Sequence, residues 1–321
     1  MLPLYPDIEP YKTHHLDMEP LKNGACHQVY VEECGNPTGI PVVFLHGGPG
    51  SGCRPQHRRY FAPELYRIIL FDQRGCGRST PSGELENNSI HFLIKDMETI
   101  RQQLNISRWL IFGGSWGATL ALLYAQQQPE QVMAMILRGV FLGREQDINW
   151  VYAEGGASKL FPEAWNELVK NLPTSEQKHP LKAYFKALTD DDESLQLSAA
   201  MTLQAWESTI VMLRDHEYEP DPTDEPGPLA HSRIQLHYAL NHCFIADAPL
   251  LDNIDIIRNI PTKIIHGRYD IVCPMQQSWE LHQVWPEAEL NIVPMAGHAA
   301  GEPALINALV IATRELASQL S

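Results

Sequence analysis

Gly113-Gly114-Ser115-Trp116-Gly117 is the stretch of this chain best suited to covalent chemistry. It follows the apolar run Trp109–Phe112 and precedes the Ala- and Leu-rich run Trp116–Gln127, so it reads as a sharp turn between a strand and a helix. In a G-x-S-x-G elbow of this kind, glycines avoid clashes with the flanking strand and helix. The serine Oγ is pushed out at the carboxyl edge of the sheet, and the next helix aims its amino end where negative charge would develop. A serine hydroxyl is a weak nucleophile at neutral pH and needs a base, which in turn needs an orienting acid. The expected chain order is Ser, then Asp or Glu, then His. Asp270 follows the run Lys263–Ile265, and His298 follows the run Leu290–Val293 and a glycine. Asp247 and Asp255 are rival carboxylates, but neither closes a strand. Ser115, Asp270 and His298 are therefore the predicted catalytic triad.

A tetrahedral intermediate also needs donors for its oxyanion. The backbone N–H of Trp116, next after the serine, supplies one, and an early strand–helix loop supplies the other. His46-Gly47-Gly48-Pro49-Gly50 closes the run Pro41–Leu45, which makes Gly47 or Gly48 the second donor. The same loop lacks the Gly-Lys-Ser/Thr ending of a phosphate loop.

The elements that would hold these groups are legible as short apolar runs: Cys26–Glu33, Pro41–Leu45, Arg67–Phe71, Trp109–Phe112, Met135–Leu137, Lys263–Ile265 and Leu290–Val293. Runs of this length are what strands buried on both faces look like. Helical spacing of Ile90, Leu93, Ile94, Met97, Ile100 and Leu104 fits between two of them, with Asn88 or Ser89 as cap; Pro303 opens a last helix. The alternation predicts the α/β class: an α/β-hydrolase fold with a mostly parallel central sheet. From 143 to 244 strand signals fade, and a helical cap insertion is expected there, with 1–142 and 245–321 forming the core. Asp190–Glu193 reads as a solvated loop or helix start, and the acidic, proline-rich stretch Glu217–Pro228 as an irregular loop.

Bulk properties narrow the partners. A net charge of −15 argues against nucleic acid, whose phosphates need clustered Lys and Arg. No apolar stretch reaches about 18 residues, so no membrane span is expected. Met1–Asp7 shows no basic region before an apolar run, so no signal peptide is expected. The six cysteines match no zinc spacing and read as free thiols of a reducing cytosol. No metal or cofactor is predicted.

Beyond the elbow, the chain resembles the proline iminopeptidases, also called prolyl aminopeptidases. The resemblance is carried by Glu33–Pro37, His46–Gly50, Asp72–Ser79, Gly113–Gly117, Gly267–Pro274 and Ala296–His298, in order along most of the chain. It implies a cytosolic enzyme that removes an amino-terminal proline from small peptides, without a metal and under a helical cap. It also implies that Glu207, in the Trp206-Glu207 pair, anchors the substrate's secondary ammonium. Gln235 stands where the family carries a second glutamate, and Ala239 replaces a commonly aromatic position, which together imply weaker ammonium binding and a wider pocket. Cys273 matches a family cysteine. An esterase or amidase of broader specificity on the same scaffold is the alternative reading. A non-catalytic binding protein is disfavoured by the intact elbow, acid, base and loop.

Overall fold

The computed structural model describes residues 1–211, 227–245 and 249–320. Eight strands form one sheet: β1 (Lys12–Pro20), β2 (Cys26–Gly35), β3 (Ile40–Leu45), β4 (Tyr66–Phe71), β5 (Trp109–Gly114), β6 (Val132–Arg138), β7 (Thr262–Gly267) and β8 (Glu289–Val293). Their spatial order is β1-β2-β4-β3-β5-β6-β7-β8. β1 and β2 run antiparallel to their neighbours, and every pair from β4 to β8 is parallel. The chain leaves β3 toward one edge and returns past it to β5. The carboxyl ends of β3 and β5 thus flank the point where the winding reverses, where ligands collect in open α/β sheets.

Successive side chains of the central strands feed two cores. Val43 and Leu45 of β3, Ile69 and Phe71 of β4, and Trp109 and Ile111 of β5 face one. Val42 and Phe44, Ile68 and Leu70, and Leu110 and Phe112 face the other. Burial on both faces is why these strands read as continuous apolar runs. Helices α1 (Ile90–Gln103) and α2 (Trp116–Gln127) cover the first face; the carboxyl-terminal helix (Pro303–Leu320) and a 3₁₀ turn at Pro55–Tyr60 cover the second. At the start of α1, Ser89 occupies the cap position without a side-chain bond to the helix.

Between β6 and β7 every described element is helical: α3 (Glu145–Tyr152), α4 (Pro162–Val169), α5 (Leu181–Leu188), α6 (Glu193–Val211), α7 (Pro228–Leu240) and short 3₁₀ turns. The acidic run before α6 caps it: the Asp192 carboxylate accepts the Ser194 N–H at 2.9 Å. Most of the expected loop Glu217–Pro228 lies outside the described residues; Pro228 itself opens α7. Two further helices complete the chain, α8 (Gln276–Val284) and α9 (Pro303–Leu320). Among the described residues no helix is long and apolar enough to cross a membrane.

Candidate active site

Ser115 sits between β5 and α2 with φ 56° and ψ −122°. A non-glycine residue at positive φ is strained by about 1–3 kcal/mol, and such strain persists only where the surroundings enforce it. Here they do. The Ser115 N–H donates to the Arg138 carbonyl of β6 at 2.8 Å, continuing the sheet ladder through the turn. A Cβ at Gly113 would run into the carbonyl of Gly117, and one at Gly117 into the carbonyl of Leu45 on β3. Both glycines of the motif are thus set by backbone contact.

β7 and β8 deliver the acid and the base. Asp270 follows the end of β7, His298 follows β8, and His298 Nδ1 lies 2.7 Å from Asp270 Oδ2. The Cys273 N–H donates to Asp270 Oδ1 at 2.8 Å. Burial pushes the Asp270 carboxyl up, but His298 and the Cys273 amide outweigh it and hold the group below its ordinary value. It is therefore an anion at neutral pH and accepts the His298 Nδ1–H, which leaves Nε2 as the free base. An unprotonated Nε2 agrees with its neighbour: an Arg138 guanidinium nitrogen lies 3.3 Å from it and donates to the His298 carbonyl at 2.9 Å, and must yield the Nε2 lone pair to the Ser115 hydroxyl. His266 backs the acid. Its Nε2 donates to the Cys273 carbonyl at 2.7 Å, its Nδ1 accepts from Ser278 at 2.6 Å, and burial keeps it neutral.

The Ser115 hydroxyl itself rests 3.9 Å from the Cys273 thiol, and among the described residues no hydrogen bond joins it to His298. Long or misaligned catalytic bonds are common in unligated sites and tighten with substrate. Burial, reinforced by the Asp270 charge, raises the Cys273 thiol well above its usual range, so it is a protonated neighbour and no rival nucleophile.

The loop after β3 packs against the elbow. A Cβ on Gly47 would lie 3.3 Å from the Gly114 carbonyl and 3.5 Å from Ser115 Cβ. His46 fixes this loop. Its Nε2 accepts the Gln73 N–H at 3.0 Å, so its Nδ1–H donates to the Gly47 carbonyl at 2.9 Å. Burial lowers the His46 pKa and preserves this pattern, which protonation at Nε2 would destroy. With the Gly47 carbonyl held there, the N–H of Gly48 points the opposite way across the planar peptide. Gln73 ties the loop to the elbow: its Nε2 donates to the His46 carbonyl at 3.1 Å, and its Oε1 accepts the Trp116 indole N–H at 2.9 Å. Trp116 is also the first residue of α2, where the backbone N–H has no intrahelical acceptor.

From the helical stretch between β6 and β7, α6 brings Glu207 into the cavity that holds Ser115 and His298, and α7 brings Gln235. The adjacent Trp206 is buried, with its indole N–H donating to the Val151 carbonyl at 3.1 Å, which fixes the rotation of α6. The Tyr152 hydroxyl donates to Glu207 Oε1 at 2.8 Å. Burial pushes the Glu207 carboxyl up to about 7, against the hydrogen bonds from Tyr152 and Gln235 that hold it down. The side chain keeps some accessible surface, and that surface faces the cavity. Ala239 and Tyr238 line the same space.

The structure thus gathers Ser115, Asp270, His298, Gly47, Gly48 and Trp116 at one sheet edge, with Glu207 and Gln235 above it. Sequence reasoning missed Arg138, His266, Gln73 and Tyr152. Gln73 lies in the stretch Asp72–Ser79 that carries the resemblance, but its partners His46 and Trp116 are remote in sequence.

Comparison with known proteins places these features in context. The α/β hydrolase fold family matches residues 40–304. A proline iminopeptidase of Arabidopsis thaliana is 47% identical over 316 residues, covering 98% of this chain and 82% of its own. Proline iminopeptidases of Xylella fastidiosa and Neisseria gonorrhoeae are 46% and 42% identical; the matches cover 98% and 99% of this chain, and 99% and 100% of theirs. Among solved structures, a probable hydrolytic enzyme of Pseudomonas aeruginosa superposes with a TM-score of 0.63 at 18% identity, over 97% of this chain and 95% of that one. At that identity the likeness shows the fold alone.

Proposed function

This chain belongs to the proline iminopeptidase family of α/β hydrolases, and from that premise we infer that it is a serine exopeptidase releasing amino-terminal proline from peptides through an acyl-enzyme. Ser115 attacks the carbonyl of the terminal prolyl residue, and its proton passes to His298 Nε2. Asp270 holds the imidazole in the tautomer that can accept it. The backbone N–H groups of Trp116 and of Gly47 or Gly48 stabilise the oxyanion. Collapse of the intermediate breaks the C–N bond, and the proton moves from His298 to the departing amine. Water, deprotonated by the same imidazole, then attacks the ester and releases proline and the Ser115 hydroxyl.

The observation that carries this reading is the position of Glu207: a largely buried carboxylate under the cap, in the cavity of the reactive serine, whereas the other glutamate on that lining, Glu302, is taken up by the Gly297 N–H. A substrate with a free secondary ammonium next to its scissile carbonyl meets both groups at once, whereas an amino-blocked substrate leaves the carboxylate unpaired. The preferred substrates are small peptides, and no metal takes part. The six unpaired cysteines suit a reducing cytosol. The uncharged Gln235 favours a second, broader reading, in which esters and amides without a charged amine are also turned over.

Two measurements test the assignment. A fluorophosphonate probe should label the wild type and not Ser115→Ala. Proline arylamide should be hydrolysed far faster than its N-acetyl form; equal rates would remove the exopeptidase reading and leave the broader hydrolase.

A further inference from the structure

The cavity around Ser115 has a volume of about 1250 Å³. Pockets that enclose a whole drug-sized ligand are usually roughly 300–1,000 Å³, so a prolyl residue occupies only part of it. One arm rises to Glu207 and Gln235 under the cap. Another passes the residues after His298 and is walled by Leu4, Phe44, His57, Tyr60, Ala300 and Ile306. This second wall is continuous: His57 stacks on Phe44 with centroids 4.4 Å apart, and the Tyr60 hydroxyl donates to the Ala300 carbonyl at 3.0 Å. Burial lowers the His57 pKa to about 3, and its Nδ1 accepts the Arg54 N–H at 3.0 Å, so this ring adds no charge to the wall at neutral pH; Arg54, Arg59 and Glu302 also line the cavity, with Arg59 paired to Asp7 at 3.2 Å and Glu302 accepting the Gly297 N–H. On the same 3₁₀ turn, the Gln56 Oε1 atom is buried and has no hydrogen-bond partner among the described residues.

The chemistry gives the two arms different occupants. The proton taken from Ser115 must be handed to the leaving nitrogen, so the leaving group departs on the side of the His298 imidazole. Ala300 and Ile306 continue the chain from His298 on that side, while Glu207 marks the side of the acyl group.

We propose that the arm walled by Phe44, His57, Tyr60 and Ile306 binds the residue that follows proline, and that it selects a large apolar or aromatic side chain there. Gln56 Oε1 accepts a backbone N–H of the departing peptide. The proposal rests on the exopeptidase reading and adds its leaving-group specificity.

The test is a series of proline dipeptide amides with glycine, alanine, leucine, phenylalanine, aspartate or lysine in the second position, alongside proline amide, whose leaving group is ammonia. The expected kcat/KM for phenylalanine exceeds that for glycine by about tenfold or more, the range that differential filling of an apolar pocket supplies. Ile306→Glu should collapse that ratio and raise the lysine substrate relative to the others; Ile306→Trp, which fills the arm, should also collapse it. Binding is read separately on Ser115→Ala by calorimetry with phenylalanine amide and glycine amide, which needs no turnover of proline. Tighter binding of phenylalanine amide, lost in the Ile306 variants, supports the proposal. A flat series, or a preference that survives both Ile306 substitutions, overturns it. Equal hydrolysis of free and N-acetylated substrates would instead overturn the exopeptidase reading, and the amide-binding experiment still decides the arm.

Discussion

Replacing Glu207 by Gln separates charge from shape at the cap. The carboxamide keeps the volume and can still bond Tyr152, so the pocket survives, but the anion that meets the substrate ammonium is gone. Hydrogen bonds to charged groups contribute about 1.5–3 kcal/mol, and at 1.36 kcal/mol per tenfold this corresponds to a loss of about 10- to 150-fold in kcat/KM. The loss should fall on KM, because the ammonium is bound alike in ground and transition states. Stability should move the other way. Glu207 is raised from an ordinary 4.5 to about 7 in the folded protein, so its contribution is fully present below the lower value and is lost as pH rises through the upper one. The ionised carboxylate therefore costs stability at pH 8, by about 1–3 kcal/mol once the surface facing the cavity is allowed for. Glu207→Gln should raise Tm at pH 8 by several degrees, at roughly 2–4 °C per kcal/mol, and by much less at pH 5. The assays are steady-state kinetics on free and N-acetylated proline arylamides and thermal melts at the two pH values. An unchanged KM for the free amine, or an equal loss on both substrates, would refute the anchor. A Tm gain that is the same at both pH values would refute the buried carboxylate.

Four further outcomes are expected. Asp270→Asn should lower kcat by about 10³–10⁴ with little change in KM, because the amide holds His298 in the wrong tautomer; single-turnover rates check this. Gln73→Leu unties the His46 loop from Trp116 and should lower kcat by about 10- to 100-fold, less than the full loss of an oxyanion donor; a largely KM effect would remove the positioning role. Ser115→Gly should raise Tm above that of Ser115→Ala, since glycine relieves the positive φ that alanine keeps; differential scanning calorimetry compares the two. Gln235→Glu should lower KM for free proline amines and keep that gain near pH 6, where the pair still carries one negative charge while Glu207 alone is largely protonated; a gain confined to pH 8 would contradict it.

The central strands were readable because both of their faces are covered, which leaves no polar alternation to confuse with a helix. β1 was not: its nine residues, Lys12–Pro20, form an edge strand paired on one side only, half-exposed and rich in charged and polar side chains. The apolar-run criterion finds strands buried on both faces and passes over one that is not. The same limit applied to chemistry. Ser115, Asp270 and His298 each follow the end of a strand, so position along the chain suggested them. Arg138 also ends a strand, yet nothing in its neighbourhood of the sequence says that its guanidinium meets the backbone of His298, 160 residues away. Gln73 and Tyr152 are likewise defined by partners that only tertiary packing supplies.

Gln235 has a consequence for how the site works near neutrality. With one carboxylate at a pKa of about 7 and an uncharged neighbour, the empty pocket at neutral pH is divided between a carboxylic acid and a carboxylate. A cationic substrate binds the carboxylate, so its arrival pulls the equilibrium toward that form and releases part of a proton per molecule bound. Raising pH should therefore strengthen binding until the substrate's own ammonium begins to lose its proton. Two carboxylates in the same space would instead hold one proton between them and keep net negative charge at lower pH. Gln235 thus sets the acid limb of KM through Glu207 alone, which predicts a single titration near pH 7 in log KM for free proline arylamides. Its shift to two coupled steps in Gln235→Glu, or its absence in the wild type, distinguishes this arrangement from one in which Glu207 does not contact the ammonium.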